Sequence, residues 1–102
     1  MSEHVPLAEL TEAVLDAPTL DALLADIGSL AEVLEVVTKG AEQVLARPAP
    51  LSLVEAVQLL RAGRLRGVQV RYRWNGEEWL DTLLRGEGGI RIVRLKVTAS
   101  EL

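Results

Sequence analysis

The sequence predicts an α+β fold in one domain, three to four helices packed on a C-terminal three-stranded antiparallel meander. Three observations carry this. Leu and Val recur at helical spacing through the first half, residues 68–74 alternate apolar and polar up to an Asn75-Gly76 turn, and the two halves carry opposite charge. Residues 1–50 hold nine acids and two bases, a balance of −7. Residues 51–102 hold six acids and nine bases, a balance of +3, and the two sum to the net −4. Two layers of one fold that attract each other are the ordinary cause of such asymmetry.

In the first half, an acidic helical region over 5–47, Leu7, Leu10 and Val14 mark a short helix from Pro6 to Asp16 that Pro18 is expected to stop. Thr19 then caps a second helix with Leu20, Leu23, Leu24 and Ile27 on one side, ending at Gly28. Ser29 and Glu32 have the spacing of a capping box, and Leu30, Val33, Leu34, Val37, Ala41, Val44 and Leu45 extend one stripe, so the spacing predicts a third helix over 29–46. Val33, Val36, Val37 and Thr38 favour strand instead, and Gly40 costs a helix about 1 kcal/mol relative to Ala. The alternative is a β-hairpin over 32–47 turning at Lys39-Gly40, which would make the sheet five-stranded.

Two prolines stiffen a connector over 48–51. Ser52 and Glu55 form a capping box for a helix over 52–63, with Leu53, Ala56, Val57 and Leu60 as its apolar stripe and Gly63 as its C-terminal cap. The meander follows over 66–97. A two-residue loop at Asn75-Gly76 would place Asp81 among the valines, where an unpaired carboxylate is costly. A three-residue loop with a bulge is therefore preferred, pairing Tyr72 with Leu80 and Val70 with Thr82 and setting Arg71 opposite Asp81 and Arg73 opposite Trp79. Gly86–Gly89 makes the second turn, and Ile90–Val97 the third strand, with a bulge where Ile92 and Val93 break alternation.

Composition narrows the chemistry. Phe and Cys are absent, so the core is aliphatic apart from Trp74, Trp79 and Tyr72, and there is neither a disulfide frame nor a thiolate. His4 is the single histidine, which excludes a histidine-based triad or a multi-histidine metal site. No nucleophile–base pair can be assembled, so no catalytic, metal or cofactor residues are assigned and an enzyme is the least favoured reading. No apolar run nears the ~20 residues of a membrane span, and MSEHVPLAEL has no signal-peptide blocks, so no membrane partner and a cytoplasmic location are expected. Arg outnumbers Lys nine to two, as in a GC-rich, thermophilic bacterial source.

In the preferred register Arg71, Arg73, Trp79, Asp81 and Arg91 or Arg94 share the polar face of the meander. Guanidinium forks beside an indole suit anionic or nucleic-acid ligands, while the commoner use of such a face is solvation by cross-strand pairs. Net charge disfavours a general nucleic-acid binder. Arg61, Arg64 and Arg66, flanked by Gly63 and Gly67, could hold an anion on backbone amides but match no phosphate-loop pattern. The leading expectation is a protein-interaction or regulatory module that associates with itself or with a protein partner, the alternative being an anion or nucleic-acid binder. The stretch RLRGVQVRYRWNGEEWLDTLL with the later GIRIVRL, most distinctively Arg71, Tyr72, Trp74, Gly76, Trp79, Asp81 and Thr82, resembles a small bacterial family known only as a domain of unknown function. That resemblance implies no activity and transfers no site residue.

Overall fold

The computed structural model describes residues 12–40 and 51–97. Asp16 sets the first boundary. It is extended (φ −78°, ψ 173°), and its carboxylate accepts the backbone N–H of Thr19 at 2.9 Å, so the helix α1, Ala17–Leu30, starts behind it. Pro18 stands in the first turn of α1, where its missing N–H would have had no partner anyway. Of the helix expected from Pro6 to Asp16, residues 6–11 lie outside the described residues, and the remainder up to Asp16 is extended. Glu12–Leu15 is accordingly a strand, β1.

α1 passes through Gly28, and the Ser29 hydroxyl donates back to the Ala25 carbonyl at 2.7 Å instead of capping a new helix. At Ala31 the backbone turns extended, and Glu32–Lys39 forms β2, with a bulge between Val33 and Glu35. The β-branched residues prevail over the helical stripe there because Val36 and Thr38 meet Val70 and Val68 of the neighbouring strand. Gly40 closes β2 at φ 73°. Ser52 and Glu55 cap each other at the start of α2, Leu53–Arg61. Then come β3, Gly67–Trp74, β4, Glu77–Gly86, and β5, Gly89–Val97.

The expected three to four helices on a three-stranded meander are overturned. The described residues contain two helices and one five-stranded antiparallel sheet of order β1-β5-β4-β3-β2. The alternative over 32–47 comes close: its first arm is β2, its second arm falls in 41–47, outside the described residues, and the fifth strand is β1. Of the helix expected over 29–46, Ser29 and Leu30 end α1, Glu32–Lys39 is strand, and 41–46 lies outside the described residues.

The β3–β4 register is the one the sequence argument rejected. Asn75 (φ 56°) and Gly76 (φ 79°) form a two-residue turn with both central residues left-handed, so Tyr72 pairs with Trp79 and Val70 with Asp81. β4 and β5 pair from Glu78↔Val97 to Gly86↔Gly89 with no bulge at Ile92 and Val93.

Both helices cover one face of this sheet. Leu20, Leu23 and Ile27 of α1 and Leu53, Ala56, Val57 and Leu60 of α2 bury it together with Leu15, Val68, Val70, Tyr72, Trp79, Leu83, Ile90 and Ile92. At one end the helices are tied together by Arg61, which donates to the Asp21 carboxylate at 2.7 Å and to the Ala17 carbonyl. Among the described residues no helix is long and apolar enough to cross a membrane.

Candidate functional site

Side chains alternate across a strand, and residues paired across strands share a face, so the register assigns every functional candidate. On the helix-covered face lies the row Val70, Asp81, Arg94. Asp81 and Arg94 are 0% and 2% exposed. Arg94 donates through Nε to Oδ1 and through Nη2 to Oδ2 of Asp81, both at 2.7 Å, and the hydroxyl of Tyr72 donates to Oδ2 at 3.0 Å. The carboxylate thus takes a two-toothed guanidinium and a phenol, a geometry strong enough to hold two charges out of water. Arg94 is the partner that makes the two-residue register tolerable for Asp81.

Burial pushes the Tyr72 phenol well above the ordinary tyrosine range, the Asp81 charge adds to this, and Arg94 opposes it. A raised folded-state value means the stability it contributes is complete below pH ~10, where the unfolded tyrosine ionises, and is lost as pH rises beyond that. Tyr72 is the chain's single tyrosine. In an alkaline titration its tyrosinate absorbance is therefore expected to emerge together with loss of circular dichroism. Tyrosinate at pH ~10 with the fold intact would show the phenol to be solvated.

Arg71, Arg73 and Arg91 sit on the opposite, open face. Arg71 bridges Glu35 at 3.1 Å and Glu78 at 3.3 Å, Arg73 pairs with Glu32 at 3.2 Å, and Arg91 pairs with Glu12. The structure therefore separates the five sequence candidates: three arginines on the open face, Trp79 and Asp81 beneath the helices. Trp79 is 5% exposed with its indole N–H unpartnered, so its ring is not a stacking surface beside the arginines. Arg94, unassigned between the faces in the sequence, proves to be the second half of the buried pair. Its signal was phase: Arg94 falls in step with Ile90 and Ile92, and Asp81 with Trp79 and Leu83.

The open face is itself divided. On β1, β5 and β4 it presents Val14, Val93, Leu95, Val97, Leu80 and Leu84 with Thr82, Glu78 and the Arg91–Glu12 pair among them, whereas on β3 and β2 it presents Gln69, Arg71, Arg73, Glu32, Glu35 and Lys39 with Val37. Val14 is 59% and Leu95 58% exposed. Gln69 donates to the Thr82 hydroxyl at 3.1 Å at the seam between the halves. A concave feature of about 340 Å³ lies at the sheet end where α1 begins, α2 ends and β4 turns into β5. Its floor is Leu15, Leu20 and Ile90, and Arg61 and Arg85 line it.

In comparison with known proteins, the chain matches no family model, no curated protein and no solved structure, so the functional reading rests on this geometry.

Proposed function

We propose that the chain is a protein-interaction module that associates with a second copy of itself through the open face of the sheet. The observation that carries this is the apolar half of that face, where Val14 on the edge strand β1 and Leu95 on β5 stand more than half exposed, in a block on three adjacent strands that also holds the Arg91–Glu12 ion pair. Fully burying one such side chain is worth about 1.5–3 kcal/mol, and a symmetric pair counts each twice. The charges favour the same partner. The face carries Arg71, Arg73, Arg91 and Lys39 against Glu12, Glu32, Glu35 and Glu78, so it has no net field to repel a copy or to draw in a polyanion.

The three overlapping strands, about 4.8 Å apart and about seven residues long, present roughly 330 Å². This is below the ~600 Å² per partner at the lower limit of stable interfaces, so the association is a weak, reversible one. With a two-fold axis running along β5, the apolar halves stack in an aligned sandwich and the ion-paired halves remain at the rim.

Sedimentation over a range of concentrations is expected to show a reversible dimer. Val14→Glu with Leu95→Glu should raise its dissociation constant at least about a hundredfold, because each site places a desolvated carboxylate in the contact twice. Both side chains are exposed, so the melting temperature of the isolated variant should change little. A wild-type chain that stays monomeric at high concentration would overturn the reading.

A further inference from the structure

The cleft at the opposite end from the Asn75-Gly76 turn has a chemistry the open face lacks. Its floor of Leu15, Leu20 and Ile90 is apolar, and its two polar side chains are both guanidinium groups. They differ in their engagement. Arg61 is anchored by its bonds to Asp21 and the Ala17 carbonyl. Among the described residues Arg85 has no carboxylate partner, whereas Arg71, Arg73, Arg91 and Arg94, the other arginines within the described strands, each have at least one.

Arg85 packs against Gly63. A Cβ on Gly63 would come within 2.8 Å of its Nη1, so the guanidinium lies against the bare backbone just past the end of α2. Arg64, Arg66 and Lys39 gather at the same end, where the Arg66 N–H donates to the Lys39 carbonyl at 2.9 Å. Among the described residues, the carboxylates at that end are Asp16, engaged as the α1 cap, Asp21, engaged by Arg61, and Glu87 in the β4–β5 turn. Of the cations at that end, Arg61 and Arg85 line the cleft itself. The volume falls at the lower end of the range of small-molecule sites, about 300–1,000 Å³.

We propose that this cleft binds a small anion with an apolar body, of the class of a medium-chain alkyl carboxylate, with the carboxylate on Arg85 beside Arg61 and the alkyl chain over Leu15, Leu20 and Ile90. The planar fork of Arg85 matches a carboxylate, and the chain covers apolar floor that a hydrated inorganic anion would leave wet. The site is independent of self-association, because none of these residues lies in the apolar block of the open face.

Octanoate is the probe, followed by amide and guanidinium nitrogen–proton correlation spectra of the full chain. Saturable shifts are expected at Leu20, Gly89, Ile90 and the Arg85 Nε–H, half-complete near ~1 mM, the range for about ten ligand atoms in an open cleft. Arg85→Gln, at an exposed position, should weaken binding at least about tenfold, whereas Arg64→Gln should leave it unchanged. The neutral analogue 1-octanol should bind the wild type more weakly than octanoate. Absence of saturable shifts up to about 10 mM, an Arg85→Gln variant that binds as tightly as the wild type, or equal affinity for 1-octanol would each overturn the proposal.

Discussion

Replacing Asp81 by Leu is expected to cost about 3–5 kcal/mol of folding stability, a large share of the total for a domain of this size. The cost comes less from losing the pair than from what it leaves behind. Arg94 is 2% exposed, so without its carboxylate a full positive charge remains beneath the helices with no water to receive it. Arg94→Met should do comparable harm by stranding the Asp81 charge. The double variant should recover most of the loss, because a well-packed apolar pair can equal or exceed a buried ion pair. The orphaned Tyr72 hydroxyl would then cost about 1–3 kcal/mol, removable by Tyr72→Phe. Chemical denaturation of the singles, the double and the triple closes the cycle. By contrast, Arg73→Ala and Arg91→Ala break exposed pairs and should each stay within about 1 kcal/mol. If the Asp81 and Arg94 singles behaved as mildly as those, the row Val70, Asp81, Arg94 would have to be open to water.

Much of the fold was legible where the signal was local. Ser52 with Glu55 predicted the start of α2, Asn75-Gly76 predicted a turn, and alternation from Val68 to Trp74 predicted β3. The errors came where one signal served two structures or where the deciding partner lay far along the chain. Pro18 is compatible with ending one helix or with the first turn of the next, and Asp16, one residue ahead of the helix, decides between them by capping Thr19. Residues 32–39 carry both a helical stripe and a β-branched run, and the choice is made by β3, about 35 residues later.

The register error has the same origin. An unpaired buried carboxylate is costly, but Asp81 is paired, and its partner Arg94 lies thirteen residues further along the chain. Two opposite charges, each in phase with buried neighbours on adjacent strands, were a readable sign of an internal pair. The exchange of faces followed directly, since shifting the register by one residue moves every β4 side chain to the other side of the sheet. Trp79 and Asp81 thereby left the arginine face. β1 offered no local sign at all, because its four residues gain their strand character from β5, some 75 residues away.

That dependence makes Gly89→Ala the other change of large expected effect. Gly89 opens β5 at φ 144°, a conformation almost confined to glycine, and a Cβ there would collide with the backbone carbonyl of Leu15. Neither partner can turn aside as a side-chain tip could. Backbone strain of this kind costs about 1–3 kcal/mol by itself, and the clash adds to it. The least costly relief is local, because among the described residues β1 is a short edge strand paired with β5 alone. Its detachment would expose Leu15 and open the floor of the Arg85 cleft. The variant should therefore lose about 2–4 kcal/mol of stability, bounded by the cost of releasing β1. Amide hydrogen exchange should accelerate selectively at Ala13–Leu15 while β3 and β4 remain protected. Gly88→Ala, one residue earlier, places its Cβ in open space, so it bears only the cost of its own positive φ. If the two variants proved equally mild, the close approach of β1 to Gly89 would not hold in solution. If Gly89→Ala instead unprotected all five strands together, β1 would be part of the cooperative core and not a detachable edge.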